Sequence, residues 1–525
     1  MCGILLHYNP INNGSLEDEI IEIPEGSDDL KSCSDKSPIF NEIVPYIARR
    51  GPNYQMFRVF KSEQISWYSS ILSLRKPFTK QSIEVNDRYI LQFNGELYNN
   101  EIHGISDTTY FVNCLKTALD EKDIINILRT LEGEFAYTIF DSKKKLVYFG
   151  RDTIGKRSLG YKLDYETNEL YISSATGDVE GFKNCVGGIV YIYNIEKKQL
   201  DEENMIREPY TVSAEVDEGE SRANELIAKL YDSLYESVEK RVLSIHPAHI
   251  EASPVAVLFS GGLDCSVIVA LICEVMKSKS KYSNHTIELL NVGFENPRVG
   301  LQPKDAPDRK LAVSSTEVLK ELYPEIDIKL VEVDVSYEEY VKLKPYVIKL
   351  MYPKVTEMDL SIAIAFYFAS RGAGFITNYE EHTRIPYKRK GIVLFSGLGA
   401  DELYGGYHKF ANKSREELVE ELTKQINNIH DRNLNRDDKV SADNGIEVRY
   451  PFLDEYVVNF STKEIPINYK INKKILRDLA KAKLHLEAIS EEPKRAIQFG
   501  AKSAKMTKDG NKHGTDIIKL EEMLN

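Results

Sequence analysis

The sequence predicts a two-part fold, a mixture of α+β and α/β classes, and three observations carry that reading. The first two hundred residues alternate short apolar runs with polar turns, the pattern of antiparallel hairpins. From Ser221 onward strands alternate with helices, which implies βαβ units and a parallel sheet with right-handed crossovers. The 525 residues also exceed what one core usually holds, at roughly 100–200 residues per domain.

In the first half, Arg88–Phe93 is apolar and runs into an Asn-Gly pair. Phe135–Phe140 and Lys145–Gly150 flank a polar Asp-Ser-Lys-Lys turn, Leu159–Tyr165 and Glu169–Ser173 flank another, and Gly188–Ile195 follows. Helical spacing marks Thr108–Leu119 and Lys122–Leu131. Ile11–Ser37 is acidic and weakly patterned, and reads as a surface insertion. The acidic stretch Asp201–Ser221 has little periodicity and holds the boundary. The expected organisation is a first domain over 2–205, a linker at 206–221, a second domain over 222–500 and a Lys-rich tail over 501–525 that frays.

The second half is expected to open on a long amphipathic helix, Ser221–Val242. A strand at Pro254–Ser260, a Gly-Gly turn and a helix at Ser266–Lys277 follow. Then come a strand at Ile287–Phe294, a helix near Leu311–Leu322, a strand at Ile326–Val335, helices between Tyr337 and Ser370, and a strand at Gly391–Ser396. Ligands of parallel sheets sit beyond the carboxyl ends of the strands. Ser260 and Ser396, at two such ends, therefore point at one pocket.

Composition narrows the function classes. With 42% hydrophobic and 28% charged residues the chain is globular. Its 68 basic against 81 acidic residues, a net charge of −13, argue against binding nucleic acid, which rests on counterion release by Lys and Arg. The longest apolar candidates, Ser266–Met276 and Ser361–Ala369, fall short of the roughly 18 residues of a membrane helix, so no membrane partner is expected. The opening residues, MCGILLHYNP, lack the basic region of a secretory signal. Six scattered cysteines (2, 33, 114, 185, 265 and 273) form no CxxC pair or metal-ligand spacing, which points to a reducing, cytoplasmic setting.

The strongest local signal is Phe259-Ser-Gly-Gly-Leu-Asp-Cys-Ser266, between a hydrophobic strand and a helix. Gly261 and Gly262 let the backbone approach an anion, Ser260 and Ser266 add hydroxyls, and the helix start offers free N–H groups. A bare Gly-Gly pair is more often a plain strand-to-helix turn; the flanking Ser, Asp and Ser shift the weight to a phosphate cradle. The run lacks the GxxxxGK[ST] spacing of a Walker loop. It resembles the PP-loop of ATP pyrophosphatases, SGGxDS, with Cys265 where many members have Ser. That resemblance implies cleavage at the α-phosphate of ATP, giving an acyl-AMP and pyrophosphate.

A second run, Leu394-Phe-Ser-Gly-Leu-Gly-Ala-Asp-Glu-Leu-Tyr-Gly-Gly-Tyr407, also follows a strand. Its paired acids could be no more than a favourably charged helix start, or Asp401 could join Asp264 on Mg²⁺, which is bound through one or two carboxylates plus substrate phosphates. The run resembles SGEGADELFGGY of asparagine synthetases, and Gly445-Ile-Glu-Val-Arg-Tyr-Pro-Phe-Leu-Asp454 resembles their GVEARVPFLD.

The N-terminus extends the resemblance. Met1-Cys2-Gly3-Ile4 matches the MCGI start of the glutamine-dependent asparagine synthetases. Removal of Met1 would leave Cys2 with its own α-amine, a group that ordinarily titrates at about 7.7–8.0, as a built-in general base. Arg50-Gly-Pro-Asn resembles HRGPD, and Phe93-Asn-Gly-Glu-Leu-Tyr-Asn99 resembles VNGEIYN. Ser106-Asp-Thr, Glu132-Gly-Glu-Phe-Ala-Tyr and Gly150-Arg-Asp-Thr-Ile-Gly155 resemble SD, GMFAF and GRDPIG, all in family order. Together they resemble a class II glutamine amidotransferase domain, an Ntn-type αββα sandwich, ahead of a PP-loop ATP pyrophosphatase domain.

The resemblance implies roles. Cys2 would be the nucleophile, and Asn94 with the Gly95 N–H the oxyanion hole. Glu96 and Asp107 would hold the glutamine α-amino group, and Arg50 and Arg75 would also belong to the glutamine site. ATP would be held by Phe259, Ser260, Gly261, Gly262, Asp264, Ser266, Val292, Ser396, Gly397 and Lys494, and Mg²⁺ by Asp264 and Asp401. Glutamine, ATP and a small carboxylic acid, aspartate by default, are the implied partners; a homodimer is compatible with the family. Ammonia would need a dry passage between the sites, since the free base is largely protonated near neutral pH.

Several positions depart from the pattern. Leu398 stands where synthetases carry the Glu of SGEGADE, associated with forming the aspartyl adenylate. The RLSI arginine is missing from Ile71-Leu-Ser-Leu-Arg75, with Arg75 four residues on. Asn53, Thr153 and Ala175 replace Asp, Pro and Glu. These traits resemble the divergent asparagine synthetase domain-containing proteins. They leave an ATP-dependent amidotransferase as the first reading, a pseudo-synthetase kept as a binding or regulatory module as the second, and a β-lactam-synthetase-like closure as the third.

Overall fold

The structure is a computed structural model that describes residues 2–10, 18–25, 35, 37–75, 78–102, 104–217, 219, 222–245, 254–279, 285–407, 410, 413–506 and 513–518. The chain divides into two compact units. The first takes Met1–Glu208 together with two later segments, Ile348–Lys354 and His430–Ile446; the second takes Pro209–Val347, Val355–Ile429 and Glu447–Asn525. The second half of the sequence therefore does not stay in one body: two of its segments fold into the first unit.

Strands of the first unit are β1 (Cys2–Tyr8), β2 (Glu19–Pro24), β3 (Tyr54–Phe60), β4 (Ile65–Ile71), β5 (Ile83–Val85), β6 (Tyr89–Leu97), β7 (Gly133–Asp141), β8 (Leu146–Arg151), β9 (Gly160–Leu163), β10 (Leu170–Ser173), β11 (Lys183–Asn184), β12 (Ile189–Asn194) and β13 (Gln199–Met205). They form two antiparallel sheets, ordered β11-β9-β10-β1-β4-β3-β2 and β13-β12-β8-β7-β6-β5. Helix α1 (Pro38–Arg50) covers the first sheet, and α2 (Asp107–Leu115) and α3 (Glu121–Thr130) cover the second.

The layering follows from strand alternation. Leu5 of β1 points to α1 with Phe40, Ile43 and Ile47, while Ile4 and Leu6 face the other sheet among Trp67, Ile90, Phe140 and Phe149. On β6, Leu91 and Phe93 pack beneath α2 with Phe111 and Leu115, and Ile90 faces inward. Each such burial is worth about 1.5–3 kcal/mol, which is why one register of each strand prevails. Gln92, on the inward face of β6, is fully buried and donates to Leu5 O at 3.3 Å and Tyr68 O at 3.0 Å, joining the sheets. The αββα sandwich implied by the resemblance is thus the one formed.

Three local expectations change. β6 runs through the Asn94-Gly95 pair without turning, because β7 pairs with it residue for residue from Tyr89 to Leu97. The acidic stretch after Asp201 begins as strand, since β13 pairs with β12. Part of the expected insertion, Glu19–Pro24, is the edge strand β2 with Ile23 buried; 11–17, 26–34 and 36 lie outside the described residues.

The second unit contains α4 (Ala223–Leu243), β14 (Val255–Leu258), α5 (Leu263–Ser278), β15 (Thr286–Phe294), α6 (Pro307–Leu322), β16 (Asp327–Val335), β17 (Ala373–Asn378), β18 (Thr383–Lys388), β19 (Val393–Phe395) and β20 (Glu447–Arg449), with helices Tyr337–Met351, whose residues from Ile348 onward belong to the first unit, and Glu357–Arg371 between β16 and β17. Its sheet has the order β18-β17-β16-β15-β14-β19-β20. The five strands from β16 to β20 in that order pair in parallel, as expected, and the β17–β18 hairpin adds an antiparallel edge. β14 and β19 are neighbours, so the loops that follow them emerge side by side.

The beginning of the tail does not fray. Phe294 N donates to Ala501 O at 3.0 Å, Asn296 Nδ2 to Lys502 O at 3.0 Å, and Ser503 Oγ to Ser361 O at 2.6 Å. Further on, Ile518 N donates to Val355 O at 2.9 Å. Among the described residues, no helix is long and apolar enough to cross a membrane.

Candidate active sites

In the first unit the site is built by two facing strands. Cys2 shares the inward-facing parity of Ile4 and Leu6 on β1, and Asn94 that of Ile90 and Gln92 on β6. The backbone N of Cys2 donates to Asn94 Oδ1 at 2.7 Å. Asn94 is fully buried, and its Nδ2 has no hydrogen-bond partner. A buried unpaired amide donor costs about 1–3 kcal/mol, and this one is available to an acceptor oxygen brought beside Cys2. Next to it Gly95 has φ +155°, and a Cβ there would lie 2.1 Å from Glu134 O. No other residue fits, and Cys2, Asn94 and Gly95 come together as the resemblance implies.

Glu96 and Arg75 form an ion pair, and Arg75 Nη2 also donates to Leu97 O at 2.8 Å. Two residues expected in the glutamine site are therefore partners of one another here. Asp107 is the first residue of α2 and accepts from Thr108 N at 2.7 Å, while Ser106 caps the helix through Thr109 N.

Arg50, expected to belong to the glutamine site, lies directly beside Cys2. It is 1% exposed, its Nε donates to the Cys2 carbonyl at 3.4 Å, and its Nη2 pairs with Asp438 Oδ2 at 2.9 Å. Asp438 also accepts from Ser158 N at 2.9 Å and Ser158 Oγ at 2.6 Å. Burial alone would push its carboxyl up; Arg50 and Arg157 outweigh that and hold it below the ordinary range. The next residue, Lys439, is buried with its Nζ on Tyr352 O at 2.7 Å, and burial, with Arg151 and Arg50 nearby, lowers it to about 7. Sequence reasoning missed Asp438, which sits in a segment of the other half.

In the second unit the loop after β14 turns on Gly261, at φ +81°, where a Cβ would lie 2.6 Å from Ala312 N. Gly262 caps α5 and its N–H reaches Ser260 Oγ at 3.3 Å. Ser266 is fully buried, with its hydroxyl 3.4 Å from Gly261 O, so it shapes the loop from inside. Phe259 is buried, its carbonyl accepting from Asn291 Nδ2 at 3.0 Å, and Val292 lies buried on β15. After β19, Ser396 Oγ accepts from Leu398 N at 3.2 Å, and Gly397 packs on Asp264, whose Cβ would be 2.9 Å from an added one.

The two loops bring the predicted acids together around a cation that sequence reasoning did not find. Lys473 Nζ lies 2.6–2.7 Å from both Asp264 oxygens and 2.6 Å from Asp401 Oδ1. Lys494 also pairs with Asp401. Burial would raise the Asp401 carboxyl, but Lys473 and Lys494 hold it well below the usual carboxylate range. Burial would lower Lys494, and Asp401 and Asp264 raise it. Glu402 is fully buried, bonded by Tyr407 OH, and pushed up by burial and by the charge of Asp401. Among the described residues no cluster of three or more His, Cys, Asp or Glu could hold a metal alone. Two carboxylates converging on one ammonium nitrogen do fit Mg²⁺, provided ligand phosphates complete its shell.

Comparison with known families finds both kinds of domain in this chain. An asparagine synthase family profile matches residues 229–420 and 411–522, and a glutamine amidotransferase domain profile matches 72–179. An asparagine synthetase domain-containing protein of Saccharomyces cerevisiae is 62% identical over 522 residues, 99% of each chain. Asparagine synthetase domain-containing protein 1 of Gallus gallus is 27% identical, over 90% of this chain and 96% of its own. A glutamine-hydrolyzing asparagine synthetase of Cricetulus griseus is 25% identical, over 91% and 84%. Identity along the whole length, with both domain profiles in order, makes the chain a member of the asparagine synthetase family, in its branch of asparagine synthetase domain-containing proteins.

Proposed function

We propose that the chain is a glutamine-dependent, ATP-consuming ligase that forms an amide, with aspartate as the default acceptor. The observation that carries the reading is the Cys2–Asn94 pair. With Met1 removed, the nitrogen now held by Asn94 Oδ1 is an α-amine in place to take the thiol proton. Cys2 Sγ then attacks the side-chain amide carbon of glutamine, and the unpaired Asn94 Nδ2 with the Gly95 N–H receives the oxyanion. Collapse of the intermediate breaks the C–N bond, the leaving nitrogen takes the proton, ammonia departs and a thioester remains for water to cleave to glutamate.

In the second unit Mg-ATP supplies an electrophilic α-phosphorus, with pyrophosphate as leaving group. The loop from Ser260 to Gly262 and the start of α5 cradle its phosphates, and Asp264 and Asp401 are suited to its cation. A carboxylate oxygen of the acceptor displaces pyrophosphate, and ammonia then displaces AMP from the acyl adenylate.

Leu398 and the Arg75–Glu96 ion pair favour a second reading, a pseudo-synthetase that binds glutamine or ATP without turnover. Purified chain with ATP, Mg²⁺ and glutamine, offered a panel of carboxylic acids including aspartate, separates the two. Pyrophosphate and glutamate release in equal amounts with one acid supports the ligase. ATP binding with no pyrophosphate from any acid supports the module.

A further inference from the structure

Lys473 is neither on a predicted element nor in any motif, yet it occupies the middle of the second site. It is 2% exposed, and its ammonium has both Asp264 and Asp401 within 2.7 Å. The backbone is bent to put it there. Asn472 and Lys473 have φ 51° and 60°, two successive non-glycine residues in the left-handed region, a conformation that side-chain-bearing residues keep only when the surroundings impose it. Lys473 N is tied to Tyr404 O at 2.9 Å, in the helix turn after Asp401. Gly406 is cleared for the same side chain: a Cβ there would lie 2.2 Å from Lys473 Cε and 2.0 Å from Asp401 Oδ1.

Charge completes the case. The carboxylates of Asp264 and Asp401 are balanced by the ammonium groups of Lys473 and Lys494, so these four side chains together offer a divalent cation no net negative charge. An ammonium and a metal ion compete for the same oxygens, because two cations held this close repel one another. From this geometry we propose that Lys473 is a resident counter-cation that keeps metal out of the Asp264–Asp401 pair until a polyphosphate arrives to receive the lysine.

On this account metal and nucleotide load together. Phosphate oxygens take the Lys473 ammonium, the carboxylates take the metal, and each event raises the affinity for the other by the same factor. The inference builds on the reading of this unit as an ATP site, but its test does not depend on turnover.

The probe is Mn²⁺, counted as free ion by electron paramagnetic resonance against purified full-length chain. Without nucleotide, Lys473→Met is expected to bind one Mn²⁺ at least tenfold tighter than wild type, and Lys473→Gln to do the same. Asp401→Asn placed on Lys473→Met should remove that binding. Wild type should gain tight Mn²⁺ binding when a non-hydrolysable ATP analogue is added. Equal Mn²⁺ affinity of wild type and both Lys473 variants in the absence of nucleotide would overturn the proposal, even in an active ligase. Failure to consume ATP with any acid would sink the ligase reading while leaving the Mn²⁺ result to stand.

Discussion

The backbone nitrogen of Cys2 donates to Asn94 Oδ1 at 2.7 Å, leaving the other half of that buried amide, Nδ2, without a partner. One side chain thus holds the nitrogen proposed as base and offers the donor proposed for the oxyanion. Asn94→Ala is expected to lower kcat for glutamine hydrolysis by about 10²–10³-fold with little change in KM, as loss of a single oxyanion donor does. Cys2→Ala should abolish glutamine use and spare the ammonium-dependent reaction. Glutamate release and pyrophosphate release, measured on the same samples, check both.

Asp438→Asn tests the support beneath Cys2, the proposed nucleophile. The substitution keeps the shape but leaves Arg50 and Arg157 facing a neutral amide in a buried place. Breaking one side of such a cluster typically costs about 3–5 kcal/mol, so the midpoint of thermal unfolding should fall. With Arg50 no longer anchored under the Cys2 carbonyl, kcat for glutamine should fall more than tenfold at unchanged KM. An unchanged kcat would show that Arg50 holds Cys2 without Asp438.

Leu398→Glu tests the acceptor. Leu398 follows Ser396 and Gly397 in the loop that packs on Asp264, and leucine can neither take a proton nor orient ammonia. The glutamate variant is expected to gain aspartate-dependent pyrophosphate release. If it gains none while the chain still turns over another acid, aspartate is not the substrate for which this site is shaped.

Lys470 gives a pH dependence with a definite sign. It is fully buried in the second unit, and burial lowers it to about 7 from an ordinary 10.5. Below pH 7 the folded chain must carry the buried charge, and the full penalty applies. Between pH 7 and 10.5 the unfolded chain binds more protons than the folded one, so stability rises with pH. Lys470→Met removes the charge, so its gain in melting temperature over wild type should be larger at pH 6 than at pH 9. A gain that grows with pH would contradict the assignment.

Much of this was legible in the sequence because it is local. The strand, glycine turn and helix around Ser260–Ser266, the Asn94-Gly95 pair and the MCGI start are contiguous runs whose spacing carries their chemistry. Alternation in the strands marked the faces on which Cys2 and Asn94 lie, although not that those faces meet. What escaped was long-range. Arg50 meets Asp438 across 388 positions, and Lys473 meets Asp264 across 209. Nothing in Ile471-Asn-Lys-Lys announces two left-handed residues, since neither is glycine.

By itself, then, the sequence determined the two fold classes, the order of the motifs and the short runs proposed to carry the nucleophile and the phosphate loop, because period-two and strand–helix patterns and short motifs are encoded by neighbours along the chain. Only the tertiary structure decided that His430–Ile446 belongs with the first unit, that Arg50 supports Cys2, and that Lys473 sits between the two acids. Those pairings are settled by burial and charge balance among segments hundreds of residues apart, where a buried ion is tolerated only if the fold brings it a partner.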